Sequence, residues 1–377
     1  MTDWLPRTLA QWLALLIGVA ALIACLLLGL WRGPKQAMLS WLFAFFFFTG
    51  LSVGSLALLM THALTGGEWG HVIRPQLLAA ARVLPLMALA AVPVLVEMRV
   101  LYAWTTQPGL AHSARAHAQG WYLADTFFVV RTVVYFVVWI GSLFAFSRYL
   151  GDRVHARRVA APGLIVFALT SLLASTDWAV SLTPHWHSSV FGMMVGTGWM
   201  LAACALATAT VAWPRGRNEL ATPEVLHDLG NLLLMFVLAW SYLAFMQYLT
   251  IWIADLPAEN AWYIPRTLTT WRWLAWFLIA FNFALPFATL LSRAAKRRRA
   301  WLGVTAAMLV FANFADAFWL IVPSFRAGGF ALRWTDLCAP LGLGALWWCV
   351  YVGQLRHARQ MLPAVRMTDD GLERSHG

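Results

Sequence analysis

Residues 121–148 read WYLADTFFVVRTVVYFVVWIGSLFAFSR, and residues 175–189, closing the next apolar run, read STDWAVSLTPHWHSS. Each run is long and apolar enough to cross a bilayer, yet Arg131 lies inside the first and Asp177 inside the second. Even the lenient insertion scales charge about 3 kcal/mol for such a group at membrane depth, so it needs a partner or a task. The pattern recurs. Trp262-Tyr263 is followed by Arg272 at the spacing that separates Tyr122 from Arg131, and Asp316 lies in the next apolar run, as Asp177 does.

Outward from that stretch, the chain divides into ten apolar segments of about the 20 residues that a spanning helix needs. They are Ala10–Trp31, Met38–Thr61, Leu77–Met98, Tyr122–Ser147, Pro162–Leu182, Ser188–Ala212, Leu226–Ile251, Leu268–Ser292, Ala300–Ile321 and Leu332–Val352. The chain is 61% hydrophobic and 11% charged, where a soluble domain carries about 25% charge. Its 23 Trp suit interfacial belts. The expected fold is an all-α polytopic membrane protein, with residues 1–377 forming one integral membrane domain. Leu22-Ile23-Ala24-Cys25 resembles a lipoprotein cleavage box, but the apolar run continues past it, so a retained first helix is expected.

The repeat spans four helices, an even number, so both copies run in the same sense. This predicts two four-helix bundles, 38–182 and 188–321, with the first and tenth helices peripheral and 353–377 a cytoplasmic tail. Well over half of the 27 Lys and Arg fall in the N-terminus, the even-numbered connections and the C-terminus, most densely at Arg293, Lys296, Arg297, Arg298 and Arg299. The positive-inside rule therefore puts both termini in the cytoplasm. The net charge of +11 is explained by lipid headgroups, and no nucleic-acid partner is expected.

Arg131 and Asp177 fall at similar depth in the outer half of the membrane, so they are expected to pair, and Arg272 with Asp316 likewise. Two readings stand open: ion pairs that hold the bundles together, or a proton or quinol path opening outward. Arg82 is expected in the inner half of the third helix, snorkelling or stabilising an inner polar path. Asp255, Glu259 and Arg266, between the seventh and eighth helices, are candidates for docking an external partner. Gln247 and Asn282 are expected to bridge neighbouring helices. His185-Trp186-His187 could cap the sixth helix or touch a metal or quinol headgroup. The four Cys lack CxxC spacing and no His sits in mid-membrane, so no haem, iron–sulfur or other metal centre is expected in this chain.

Four stretches carry a family resemblance: residues 64–86 (LTGGEWGHVIRPQLLAAARVLPL), 121–139, 175–192 and 227–266 (HDLGNLLLMFVLAWSYLAFMQYLTIWIADLPAENAWYIPR). Together they resemble the ActF-type, NrfD-like subunit of bacterial alternative complex III, described as quinone-binding subunit 2 of a quinol:cytochrome c oxidoreductase. Two positions depart from that pattern: Ala258 stands where an acid is usual, and Asp255 where an Asn is usual. The resemblance implies a bacterial inner (cytoplasmic) membrane subunit. It also implies partners: cytochrome c subunits, an iron–sulfur protein, a sister NrfD-like membrane subunit and, in some complexes, a terminal oxidase. Haem c and iron–sulfur clusters would then reside in those partners, with quinol the one small molecule this chain could meet. The implied contribution is proton conduction, quinol-side structure or subunit anchoring, with no catalysis by the chain alone. The alternatives are an NrfD-like subunit that itself binds and oxidises quinol beside an iron–sulfur partner, and a secondary transporter.

Overall fold

The computed structural model describes residues 8–106, 122–184, 186–213 and 220–375, with Ala10, Leu30, Arg32 and 361–375 as backbone only. The described residues are mostly helical, with no strand, and ten of their helices are long and apolar enough to cross a membrane. They are α1 (Leu9–Arg32), α2 (Pro34–Thr65), α3 (Glu68–Val96), α4 (Asp125–Arg148), α5 (Arg153–Trp178), α6 (Phe191–Ala212), α7 (Pro223–Ala254), α8 (Arg272–Leu291), α9 (Arg299–Ile321) and α10 (Thr335–Ser375). The chain is a multi-pass membrane protein. Every backbone polar group in a bilayer core needs an internal partner, which leaves helices as the natural way for so apolar a chain to cross.

Local chemistry sets the ends. Pro34 opens α2, where its missing N–H costs nothing. The turn into α3 uses Gly66 and Gly67 at φ +72° and +99°, a region glycine enters without strain. Asp152 caps α5 by accepting from the N–H groups of Val154 and His155, and those bonds, with His155's ring, hold its carboxyl below the usual range. Thr222 caps α7 through Val225 N–H. Three helices run past their apolar segments. α3 starts at Glu68 rather than Leu77, α5 at Arg153 rather than Pro162, and α10 continues through the segment expected as a tail to Ser375. The first turn of α3 takes in His71.

α2 packs on α3 and α5, and α4 closes the ring between them; α6, α7, α8 and α9 form a second ring in the same order. The rings join where α6 lies against α2 and α5, and where α9 meets α2. α2 is therefore the innermost helix, 94% buried over its most apolar stretch, against 17% for α1. Two glycines one turn apart permit this. A Cβ on Gly54 would stand 2.2 Å from the backbone oxygen of Trp199, and one on Gly50 would stand 2.2 Å from the Trp199 ring. α10 lies along α1, α2 and α3. At the end of the molecule away from Arg293–Arg299, the chain inserts a helix between α7 and α8, Pro257–Leu268, which carries Glu259 and Arg266.

Candidate functional site

Arg131 lies on α4 a turn and a half past its start, and Asp177 is the penultimate residue of α5, so antiparallel packing brings them level. The guanidinium grips the carboxylate with two bonds, Nε to Oδ2 and Nη2 to Oδ1, both 2.8 Å. Its remaining Nη1 donates to the Tyr122 carbonyl at 2.7 Å, and the Tyr135 hydroxyl donates to Asp177 Oδ2 at 2.6 Å. The rings of Tyr122 and Phe127 flank the guanidinium at 3.7 and 4.4 Å. Asp177 is fully buried and Arg131 nearly so. A bidentate, fully hydrogen-bonded pair of this kind compensates its own desolvation and leaves no oxygen of the carboxylate open to a passing proton.

The second ring differs. Arg272 and Asp316 do not meet. Arg272 is the first residue of α8, exposed, with its guanidinium 5.4 Å from the Trp273 ring. The buried guanidinium beside this ring is Arg266, from the inserted helix. It is 1% exposed, which places it inside the fold rather than on a docking surface. It donates to the carbonyls of Trp262 and Leu320 at 2.8 Å and of Trp319 at 3.3 Å, and sits 3.5 Å over the Trp262 ring. It thus caps the C-terminal carbonyls of α9, where a cation also meets the negative end of the helix dipole. Burial pushes Arg266 down to about 9, still cationic at neutral pH.

With its expected cation elsewhere, Asp316 stands apart. It lies five residues before the end of α9, where Asp177 lies one before the end of α5, and so sits about 6 Å deeper at 1.5 Å per residue. It is 6% exposed, and no Lys, Arg or His forms an ion pair with it among the described residues. The Trp240 indole N–H faces the carboxyl without closing an ordinary hydrogen bond. One turn earlier Asn313 donates to Asn282 at 3.1 Å, and Asn282 keeps a buried N–H without a partner. Asn282 is presented by a π-helical stretch of α8, Ile279–Ala284, a distortion often found at functional sites. Asp316, Asn313, Gly198 and Trp199 line a cavity of about 20 Å³ between α2, α6 and α9, room for about one water.

The other expected positions fall as follows. Arg82 lies at the break between Glu68–Ala81 and Leu84–Val96, half-buried, at the middle of a helix that starts earlier than its apolar run. Asp255 is exposed in the left-handed region (φ +48°) after α7 and accepts from Asn260 at 2.7 Å. Gln247 bridges the Ser188 hydroxyl and the Tyr263 hydroxyl, and burial pushes Tyr263 up to about 12. His185 lies outside the described residues; Trp186 is fully buried and stacks on Trp262 at 4.8 Å.

A cavity of about 440 Å³ opens where α5, α6 and α7 meet the inserted helix; Thr176, His187, Ser188, Ser189, Gln247 and Glu259 supply its polar wall. Sequence reading missed one buried ion pair altogether, Arg326–Asp336, with bonds of 2.7 and 2.8 Å. Ser40 of α2 also donates to Asp336 at 2.7 Å. The only available sign was an Arg and an Asp flanking Gly328-Gly329. Among the described residues no three His, Cys, Asp or Glu side chains converge as a metal ion would require. No protein-family model matches this chain, and no curated protein matches it.

Proposed function

We propose that this chain is a membrane subunit of a respiratory quinol:cytochrome c oxidoreductase of the alternative complex III type, serving as a scaffold that carries one proton-handling carboxyl, Asp316. In this reading cytochrome c subunits, an iron–sulfur protein, a sister NrfD-like subunit and, in some complexes, a terminal oxidase carry the electrons. The chain sits in the bacterial cytoplasmic membrane with both termini and Arg293–Arg299 on the cytoplasmic side.

One observation carries the assignment of Asp316: of the two acids buried in the helix rings, Asp177 is locked by a guanidinium and a tyrosine, whereas Asp316 faces a water-sized cavity with amide and indole neighbours. A proton carrier must gain and lose its proton at accessible cost, which a carboxylate clamped by two charge-assisted bonds cannot do. Neutral amide and indole neighbours stabilise neither form so strongly, and a water at the cavity would provide the next step of a relay.

The test is made in the assembled complex reconstituted in vesicles, comparing Asp316→Asn with wild type for quinol oxidation and for protons moved per electron. The expected result is an intact complex with fewer protons moved. Unchanged proton movement in an intact Asp316→Asn complex would sink the assignment of the carboxyl. Purification of the chain without haem-containing or iron–sulfur partners would sink the complex itself.

A further inference from the structure

We propose that the cavity at the junction of α5, α6, α7 and the inserted helix binds the headgroup of a phospholipid bearing a primary ammonium. The proposal rests only on the chain being membrane-embedded and is independent of any redox role.

The depth is that of a headgroup. Thr176 is two residues from the end of α5, Ser188 and Ser189 precede α6, and Thr250 is within about one turn of the end of α7. Tyr248 and Trp252, both exposed on α7 beside it, are residues of the kind that settle at the lipid–water boundary. About 440 Å³ is ligand-sized.

The charges select the headgroup. Among the described residues Glu259 is the one acid in the lining, and no Lys or Arg lines the cavity. A purely anionic headgroup would meet this carboxylate with no cation to offset it. A zwitterion fits better: its ammonium faces Glu259, and its phosphate faces His187 and the Ser189 hydroxyl just before α6, where the helix dipole is positive, while the Ser188 hydroxyl proton goes to Gln247. The wall is held in place, since Ser188 accepts from the N–H groups of Val190 and Phe191 at 3.3 and 3.2 Å and donates to Gln247 at 3.3 Å. A primary ammonium offers Glu259 hydrogen-bond donors that a quaternary one lacks. The acyl chains would leave along Val180 and Ile251 of the lining toward the lipid-facing side of α7.

The full chain, purified in mild detergent and stripped of lipid, is titrated by native mass spectrometry with phosphatidylethanolamine, phosphatidylcholine and phosphatidylglycerol of matched acyl chains, and with soluble phosphoethanolamine. The expected result is one saturable site at least tenfold tighter for phosphatidylethanolamine than for either other lipid, with soluble phosphoethanolamine competing weakly. Glu259→Gln removes that preference, and Ser189→Ala, at an exposed position, weakens all three lipids alike. Equal binding of phosphatidylethanolamine and phosphatidylglycerol overturns the proposal, as does a preference that survives Glu259→Gln. So does recovery of a quinone from this cavity, shown by a photoreactive quinone that labels the 247–259 segment and is not displaced by phosphatidylethanolamine.

Discussion

Replacing Asp177 with Ala is the sharpest test of how the first helix ring is held. The substitution removes both carboxylate bonds to Arg131 and the one from Tyr135. It strands a guanidinium that is only 7% exposed. Three bonds at the roughly 1.5–3 kcal/mol usual for charged groups would sum to about 4.5–9 kcal/mol. That sum is too large, because Arg131 keeps its bond to the Tyr122 carbonyl and the unfolded state within a bilayer finds partners of its own. The cost of breaking a buried pair by removing one member, about 3–5 kcal/mol, is the better guide. The lower figure means on the order of a hundredfold loss in the folded-to-unfolded ratio. Reversible unfolding in mixed micelles, followed by tryptophan fluorescence, measures it. Replacing both residues, Arg131→Met with Asp177→Leu, should recover most of the loss, since no charge is then stranded. The reasoning fails if Asp177→Ala costs less than about 1 kcal/mol, or if the double replacement is as damaging as the single one.

Asp316→Asn should leave stability unchanged or slightly raised, because no cation is stranded by it; a loss of about 2 kcal/mol or more in the same assay would reveal a partner that the geometry does not contain. Arg266→Met should cost on the order of 3 kcal/mol by orphaning the α9 carbonyls, and Arg266→Lys should not rescue it, because an ammonium cannot span the Trp262 and Leu320 carbonyls. Gly54→Ala should cost about 1–3 kcal/mol, since its Cβ meets backbone rather than a movable side chain; intact stability would mean that α2 and α6 can separate freely. Burial, and then Arg293, holds the Lys296 ammonium below its ordinary value of 10.5. The unfolded chain therefore binds that proton more tightly, and stability from this group should rise with pH from the lowered value up to 10.5, a slope that Lys296→Met should abolish.

The spans and the Arg131–Asp177 pair were legible because each rests on counting. An apolar run has a length, and a charge within it has a depth. Arg272 misled because the spacing from Tyr263 was read along one helix, while the chain ends the inserted helix at Leu268 and restarts at Arg272. That break exposes the expected arginine and buries Arg266, whose neighbours in sequence gave no sign that its partners would be the carbonyls of another helix. Asn282 was visible as a polar residue in an apolar run, but its partner Asn313 was not singled out. The early start of α3 was hidden for the opposite reason: its first residues are polar, and hydropathy cannot see a helix that begins before its apolar residues do.

The most extensively packed partner of α1 is α10, at the far end of the described chain. Gln11 donates to the Cys349 carbonyl at 3.2 Å, and a Cβ on Gly18 would lie 3.2 Å from the Gly342 backbone oxygen. During synthesis, then, the first helix enters the bilayer long before its main neighbour exists, and waits with α2 beside it. Its mostly apolar surface lets it wait in lipid at little cost. Arrival of α10 acts as a clasp that fastens the beginning of the fold to its end, so the ribosome must deliver all ten helices before the first is fully seated.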